Sequence, residues 1–365
     1  MKKALALVIL VVVGIFGWRQ WSANQSSAVA ASKASSPPQS AAAKSDALPP
    51  SAVLNIDPRM SAKPALMGSG STPQRGQLPA NVSPLMADYI ARKDFPALMA
   101  KVSQLPNDGE AQFIRAQLLN SCAKKMDQTD ARPRKTWAER RAEFVASLPQ
   151  NHPDTPMRIN AWDLANPDVC GSLRGLETTK KEIADAFARA QELKDPTALA
   201  RELNCEIHAT NDPVKFPNAR AVEINDSRAE RIRQAIASRN PTAVRAGVGM
   251  LSNTYRNGAF RIGNDGAFVD QAAMHHVANL LACQYGGDCV TPVQSACARE
   301  GRCATNNYED YLAYYELSPS AAQLVDTYRR QLTQMIDSGD FSQLQLVKGE
   351  QPTDSVRVGS YFQCN

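Results

Sequence analysis

The sequence predicts an all-α fold, an irregular disulfide-stapled helical bundle or helical-hairpin array, placed after an N-terminal membrane segment and a disordered linker. Three observations support this fold class. An unbroken apolar run opens the chain, a long stretch of small and polar residues follows it, and the remainder combines helical spacing of apolar residues with eight cysteines. The corresponding boundaries are a membrane segment at 1–21, a linker at 22–83 and a helical, cysteine-rich domain at 84–365.

The N-terminal segment has the composition of a signal anchor or a signal peptide. Lys2 and Lys3 precede the apolar run Ala4–Trp18, which Arg19 closes, and such a run is typical of a secretory segment or a short membrane span. A helix of this length rises only about 22 Å, less than the ~30 Å hydrocarbon core, which favours a cleaved signal. The first Ala-x-Ala motif after the run, at 28–30, lies far downstream, which favours an uncleaved anchor. The sequence predicts the anchor, with cleavage as the alternative.

The charges that flank the run predict its orientation. Lys2, Lys3 and the amino terminus outweigh Arg19, so the positive-inside rule places the N-terminus in the cytoplasm. The chain is then a single-pass inner-membrane protein whose C-terminal domain lies in the periplasm, or a periplasmic protein if the segment is cleaved. An even number of cysteines fits such an oxidising compartment, because all of them can pair.

Residues 22–83 are predicted to be a disordered tether. Small and polar residues dominate this stretch and aromatic residues are absent from it, so it cannot bury enough apolar surface to fold. A flexible chain of about 60 residues averages roughly 40–50 Å end to end and would hold the domain away from the bilayer. The apolar patch 52–56 is compatible with a docking strand, but a plain linker is the favoured interpretation.

Beyond Pro84, apolar residues recur three and four positions apart, which is the spacing of one apolar stripe along a helix. Three such stripes lie between Leu85 and Leu119. Strand alternation is limited to Ala219–Ile224 and Ser355–Phe362, so low strand content is expected. Further helices are predicted at Trp137–Leu148, Leu176–Leu193, Pro196–Ile207, Arg228–Ser238, Pro241–Tyr255, Asp270–Gln284, Val293–Glu300, Tyr308–Tyr315 and Ser320–Ser338.

Four connections between these stripes share one turn chemistry. They are Lys93-Asp94-Phe95-Pro96, Lys194-Asp195-Pro196, Arg239-Asn240-Pro241 and Gly339-Asp340-Phe341. Asp or Asn is expected to cap a new helix in each, and a proline directly after it fits the first helical position, where no N–H is needed. The turns resemble those of tetratricopeptide-type helical-hairpin repeats over about a third of the domain, but their unequal intervals depart from a repeat array. No peptide-binding residue is therefore carried over.

The densest cysteine cluster is Cys283-x5-Cys289-x7-Cys297-x5-Cys303. Zinc knuckles space their cysteines by two to four residues, so disulfides that stabilise short helices are the favoured interpretation. The segments Leu280–Cys283, Gly287–Cys289 and Gly301–Cys303, with Cys297 between them, resemble a pattern found in exported proteobacterial helical proteins whose function is not established. That resemblance implies a compartment and a shape, and no activity.

The other four cysteines are scattered and would join distant elements. They are Cys122, Cys170, Cys205 and Cys364, and the last would hold the C-terminal tail on the domain. Cys122 with Cys170 is the predicted pair, although spacing alone does not fix the connectivity. The absence of a Cys-x-x-Cys motif argues against thioredoxin-like chemistry.

Neither a metal nor a cofactor is expected. His275 and His276 precede the cysteine cluster on one helix, but adjacent side chains point about 100° apart and do not easily share an ion. One buried and one solvated histidine is the favoured interpretation. The sequence contains no Gly-x-Ser-x-Gly, His-Glu-x-x-His or phosphate-loop motif, and the glycines of Gly247-Val248-Gly249 are predicted to mark close helix packing.

Charge and aromatic patterning restrict the partners. The net charge of +5 is small and requires no nucleic acid, which is also not expected outside the cytoplasm. Basic residues gather around Trp137, between Lys124 and Arg141, and would attract an anionic surface, but a solvated loop and helix start is favoured. A further group, Tyr308, Tyr311, Tyr314 and Tyr315, suits either an interaction patch or the core, and the core is favoured.

These features favour a membrane-tethered periplasmic interaction or scaffold protein that catalyses no reaction, with the inner membrane and an envelope protein as partners. One alternative is an enzyme acting on peptidoglycan or another envelope polymer, which requires a cleft containing a carboxyl or histidine of perturbed pKa. Glu177, Glu182, Glu206 and Glu223 are its candidates, and no sequence context distinguishes them. Another alternative is a metal or redox sensor that uses the cysteine cluster and predicts thiols that stay free.

Overall fold

A computed structural model of the chain describes residues 82–127, 135–209, 223–253, 255, 257–263, 268–349, 362 and 364. These residues are mostly helical, as predicted, and include all eight cysteines. The predicted membrane segment Ala4–Trp18 and the linker up to residue 81 lie outside the described residues, as do 219–222 and 355–361 of the predicted strands. In the described ranges, no helix combines the length and the apolar character needed to cross a membrane.

The helices are short and follow one another closely. In chain order they are α1 (Pro84–Ile90), α2 (Phe95–Ser103), α3 (Gly109–Cys122), α4 (Trp137–Ser147), α5 (Thr155–Ala165), α6 (Lys180–Glu192), α7 (Pro196–Ala209), α8 (Asp226–Ala237), α9 (Pro241–Leu251), α10 (Gln271–Gln284), α11 (Thr291–Glu300), α12 (Tyr308–Tyr311) and α13 (Pro319–Ser338). A 3₁₀ turn at Gly171–Gly175 precedes α6, and a π-helical turn at Leu312–Glu316 follows α12.

Among the described residues, two small sheets connect elements that are distant in the chain. Strands β1 (Lys124–Lys125) and β2 (Glu177–Thr178) pair in parallel. Strands β3 (Gly258–Ile262) and β4 (Leu344–Lys348) form an antiparallel pair that the sequence analysis did not predict.

Three of the four predicted turns open a helix as expected. Asp94 caps α2 by accepting from Ala97 N at 3.1 Å, and Asn240 caps α9 by accepting from Ala243 N at 3.1 Å. The fourth prediction is wrong, because the chain after Asp340 enters strand β4 instead of a helix. Leu344 and Leu346 are two positions apart, so they lie on one face of β4, and this period of two fits a strand paired with β3.

Two predicted helices begin or end four residues away from expectation, and one helix was not predicted. The predicted helix Leu176–Leu193 begins only at Lys180, because Thr179 and Glu182 form a capping box there. The predicted helix Pro241–Tyr255 ends at Leu251. Helix α5 was not predicted, since its apolar residues do not form one stripe and only Ala161 and Ala165 are buried in it.

The helices pack in sequence around one main core. Helix α3 packs on α6, α7 on α8 and α9, α9 on α10, and α10 on α13. The predicted close packing at Gly247 is confirmed, because a Cβ on that residue would lie 2.8 Å from Cγ1 of Ile236 on α8. A second, small cluster is separate from the main core. We call it the satellite core: Ala161, Cys297 and Ala298 are buried in it, and Phe144, Trp162 and Cys303 pack against it.

All eight cysteines are paired. The predicted pair Cys122–Cys170 lies at disulfide distance, with its Cα atoms 5.4 Å apart, and joins the end of α3 to the 3₁₀ turn. The other disulfides are Cys205–Cys364, Cys283–Cys289 and Cys297–Cys303.

Candidate docking groove and polar pocket

Helix α4 is well formed but poorly covered. Thr136 Oγ1 accepts from Glu139 N at 3.2 Å, and Glu139 Oε2 accepts from Thr136 N at 2.6 Å. This capping box satisfies two backbone donors of the first turn. Nevertheless, none of the residues of α4 is buried, although the helix carries Trp137, Phe144 and Val145. These three side chains are half-buried, so the described chain covers the apolar face of α4 only in part.

Aromatic rings join α4 to α5. The ring of Trp162 stacks on Phe144, with centroids 5.5 Å apart and planes inclined by 15°. It also tilts against Trp137 at a centroid distance of 5.8 Å. Trp137 Nε1 donates to the Asn166 carbonyl oxygen at 2.5 Å, which positions the indole at the end of α5. The three rings therefore fix how α4 lies on α5.

A groove with a volume of 530 Å³ runs along the uncovered face of α4 and the turn after it. Its apolar lining comes from Trp137, Ala138, Ala142, Val145, Ala146 and Leu148. Arg141 also lines it and donates to both carboxylate oxygens of Asp163, at 2.7 and 2.8 Å. This two-pronged contact fixes the guanidinium in place. The groove is thus a preformed concavity with an apolar floor and a fixed polar wall, within the size range of binding pockets.

Helix α5 attaches α4 and its groove to the rest of the domain. We call α4 and α5 together the platform. Arg158 Nε donates to the Ala298 carbonyl oxygen at 2.9 Å, and its Nη2 donates to the Arg299 carbonyl oxygen at 2.8 Å. These carbonyls belong to the last turn of α11, where intrahelical partners are missing. The satellite core packs beside this contact. Arg92, in the turn after α1, makes a further contact: its Nη1 donates to the Ala165 carbonyl oxygen at 2.7 Å.

A second concavity, with a volume of 330 Å³, lies where α1, α3, α7 and α9 begin. Ser83, Glu110, Asp195 and Asn240 line it, one from the start of each helix. Gly109 allows the close approach of two of these starts, because a Cβ there would lie 3.1 Å from the Cβ of Asp195. Two of the four turns that the sequence predicted, those at Asp195 and Asn240, therefore line one polar pocket.

The carboxyls of this pocket are electrostatically perturbed. Asp195 is buried, and desolvation is the main cause that raises its pKa to about 6, with the nearby charge of Glu110 adding to it. Hydrogen bonds from the backbone N–H groups of Ala198 and Thr197 oppose this shift. Burial likewise raises the pKa of Glu110, while a hydrogen bond from the Ser83 hydroxyl acts in the opposite direction.

The four glutamates considered from sequence do not form this pocket. Glu177 pairs with Lys124 at 3.2 Å on the surface, and Glu182 belongs to the capping box of α6, where the Thr179 N–H lowers its pKa. Burial acts to raise the pKa of Glu206, but ion pairs with two arginines of α8 outweigh it and lower the pKa overall. Glu223 precedes α8, outside both concavities. Sequence reasoning missed Asp195 and Glu110 as perturbed groups, because nothing local distinguishes a buried cap from an exposed one.

In the described part of the chain, the two histidines do not form part of a metal site, whereas the rings of the four tyrosine candidates pack against one another. The rings of His275 and His276 lie 5.7 Å apart, and the described ranges contain no group of three side chains suited to hold a metal ion. Desolvation lowers the pKa values of both histidines. Tyr308 and Tyr311 are buried, which agrees with the core interpretation, whereas 42% of Tyr314 is exposed.

Comparison with known proteins gives no relative from which a role could be transferred: no protein family, no curated protein and no solved structure matches the chain.

Proposed function

We propose that the chain is a membrane-tethered periplasmic docking protein, anchored in the inner membrane by Ala4–Trp18 and extended from the bilayer by residues 22–83. The composition of these two segments supports the placement, and four disulfides suit an oxidising compartment. In this proposal the helical domain is a disulfide-stapled array of helical hairpins, and it presents a binding surface to another envelope protein without catalysing a reaction.

The observation that carries the proposal is the uncovered apolar face of α4. A short helix in water is stable mainly when its apolar face packs on something. Helix α4 contacts α5 through its aromatic residues and through the Arg141–Asp163 ion pair, and the groove beside these contacts is open. Full burial of an exposed valine contributes about 1.5–3 kcal/mol, and completing the burial of the half-buried Val145 would contribute part of this amount. A partner that fills the groove would therefore gain free energy from a surface that is already in place.

The chemistry of the groove indicates the kind of partner. Its floor is apolar, so it fits a partner segment that projects a row of apolar side chains, such as one face of an amphipathic helix. Arg141 is already neutralised by Asp163, whereas Arg140 lies exposed beside it on α4. An acidic residue flanking the apolar segment would meet Arg140 at the rim and increase the association rate.

Site-directed crosslinking tests the proposal in cells. A photoreactive amino acid in place of Ala142, which lines the groove and is exposed, should capture one envelope protein reproducibly. The substitution Ala142→Arg fills the groove with a charged side chain and should abolish recovery of that protein. Ser147→Arg is the matched control, because Ser147 is exposed on the same helix and does not line the groove.

Comparison of the two arginine variants tests whether the partner binds in the groove. Loss of the partner in Ala142→Arg and its retention in Ser147→Arg supports docking in the groove, and the purified pair should then show at least about tenfold weaker binding for Ala142→Arg. Equal recovery of the partner with both variants would contradict the proposal.

A second candidate function is hydrolysis of peptidoglycan or another envelope polymer in the polar pocket. The observation that favours it is the buried carboxyl of Asp195, whose pKa of about 6 suits a general acid near neutral pH. Purified protein should then release soluble fragments from peptidoglycan, and Asp195→Asn should abolish release while the protein remains folded. If the natural sequence releases nothing between pH 5 and 8, this candidate is excluded.

A further inference from the structure

We propose that the groove is an oxidation-dependent docking surface, in place only while the disulfide Cys297–Cys303 is closed. This inference rests on the proposed function, because it states the condition under which the groove of α4 and α5 is available. It assigns a regulatory role to a disulfide that otherwise only stabilises the end of a short helix.

The platform under the groove depends on very few apolar groups. Ala161, Cys297 and Ala298 are the buried members of the satellite core, and Trp162 packs against them. The ring of Trp162 also packs against Trp137 and Phe144 of α4. The disulfide sulfurs therefore belong to the same small cluster that positions the groove. Val293 and Ala296 hold α11 on the main core, but neither is a member of the satellite core that Trp162 contacts.

The disulfide also encloses the carbonyl groups that hold α5. Ala298 and Arg299, whose carbonyl oxygens bind the Arg158 guanidinium at 2.9 and 2.8 Å, lie inside the loop that the bond closes. Arg158, Ala161 and Trp162 are three and four positions apart and share one face of α5. Opening the bond would free the last turn of α11 and weaken this whole face at once.

A second disulfide provides an internal comparison. Cys283–Cys289 has the same sequence separation of 6 and lies at the turn between α10 and α11, at the opposite end of α11. However, Cys283 is buried in the main core and Cys289 packs against it. The main core has many other members, so opening Cys283–Cys289 should leave the groove in place.

Opening the bond needs a reductant, and a dithiol is the class that fits. A dithiol thiolate attacks the sulfur of Cys303, which is partly exposed, whereas Cys297 is buried. The S–S bond breaks, Cys297 leaves as a thiolate that takes up a proton, and a mixed disulfide forms on Cys303. The second thiol of the reductant then displaces Cys303 as a thiol. Two electrons pass to the protein, and the dithiol becomes a disulfide.

The tryptophans supply a reporter that does not require the partner. The full chain has four tryptophans, and the changes Trp18→Phe and Trp21→Phe leave Trp137 and Trp162 as the reporting pair. Their packed rings give a near-ultraviolet circular dichroism signal that disappears when α4 separates from α5. The emission of both rings should shift to longer wavelength in the same event.

The test compares two double variants in this background. In Cys297→Ala/Cys303→Ala we expect loss of the tryptophan signal and of crosslinking from position 142, with the far-ultraviolet helical signal largely kept. In Cys283→Ala/Cys289→Ala we expect both the tryptophan signal and the crosslink to be retained. Binding to the purified partner should weaken at least about tenfold in the first variant only.

Each failure points to a different claim. If Cys297→Ala/Cys303→Ala keeps the tryptophan signal, or if both double variants lose it equally, the inference is overturned. If the signal is lost as expected but Ala142→Arg still recovers the same partner, the docking function fails while the link between disulfide and groove stands.

A second measurement covers the case in which the first variant does not fold. The natural sequence is titrated with dithiothreitol, and molecules alkylated only at Cys297 and Cys303 are followed by amide hydrogen exchange. Amides of α4 and α5 should exchange faster while those of α9 stay protected, and unchanged exchange in α4 and α5 would overturn the inference.

Discussion

Replacing Asp195 with asparagine should stabilise the protein above pH 6 and leave its stability almost unchanged near pH 4. Asp195 is 4% exposed and caps α7 by accepting from Ala198 N at 2.7 Å. Asparagine caps a helix about as well as aspartate, so Asp195→Asn keeps the cap. The substitution removes only the free-energy cost of ionising a buried carboxyl group.

The shift in pKa sets the magnitude. The carboxyl has a pKa of 3.8 in an unperturbed chain and about 6 in the fold. One pKa unit corresponds to about 1.4 kcal/mol, so the full effect is about 3 kcal/mol. Because the folded pKa is the higher one, the folded state holds the proton more tightly. The stabilisation of the fold by the protonated Asp195 carboxyl is complete below pH 4 and is lost as the pH rises through 6. The asparagine in Asp195→Asn cannot ionise, so the variant does not lose stability over this range.

Urea unfolding followed by far-ultraviolet circular dichroism between pH 4 and 8 measures the difference. The free energy of unfolding of Asp195→Asn should exceed that of the natural sequence by an amount that grows from near zero to about 3 kcal/mol. Asp340→Asn is the matched control, since Asp340 lies in the same turn motif but is exposed and its pKa is lowered by the Ser342 N–H. The stabilisation by the ionised Asp340 carboxylate is present at neutral pH and lost in acid. Asp340→Asn should therefore lower the free energy of unfolding at neutral pH, opposite in sign to Asp195→Asn. A constant loss of stability in Asp195→Asn at every pH would refute the reasoning.

Two further predictions concern the core and the cross-links. Removing the bond between Cys122 and Cys170 by a double alanine change should lower the free energy of unfolding by about 4 kcal/mol, because it releases a long loop in the unfolded chain; denaturation midpoints measure this, and no change would contradict it. Gly247→Ala should destabilise the fold by about 1–3 kcal/mol through overpacking against α8, as thermal unfolding would show. Gly175→Ala is its control and should be nearly neutral, since no atom lies within 4 Å of the added Cβ.

Local chemistry in the sequence was sufficient for most helix starts. The caps at Asp94 and Asn240 follow from side-chain hydrogen bonds within three residues, which a sequence displays directly. The capping box of Thr179 and Glu182 was equally readable, but an apolar stripe that begins at Leu176 led to an earlier predicted start. The side chain of Leu176 is 41% exposed, so this first residue of the stripe is not part of the face that Ile183, Phe187 and Ala190 bury. Where cap and stripe disagreed, the cap was correct.

Contacts between distant segments could not be predicted in this way. Strands β3 and β4 pair across the whole length of α10 to α13, and neither strand shows a partner in its own sequence. The polar pocket has the same origin. Asp195 and Asp340 occur in nearly identical turns, yet one faces three other helix starts and the other faces solvent. Their pKa values therefore move in opposite directions for a reason that lies in the tertiary structure alone.

The paired cysteine loops extend this argument from stability to function. Cys283–Cys289 and Cys297–Cys303 have equal spacing, so chain entropy assigns them equal stabilisation. They differ in what lies behind them, a large core for the first and the satellite core for the second. Loss of a cross-link changes a structure most where few other contacts hold the same elements. For this reason, opening the bond at the satellite core should change the groove of α4, whereas opening Cys283–Cys289 should not. The equal spacing of the two cysteine pairs does not predict this difference.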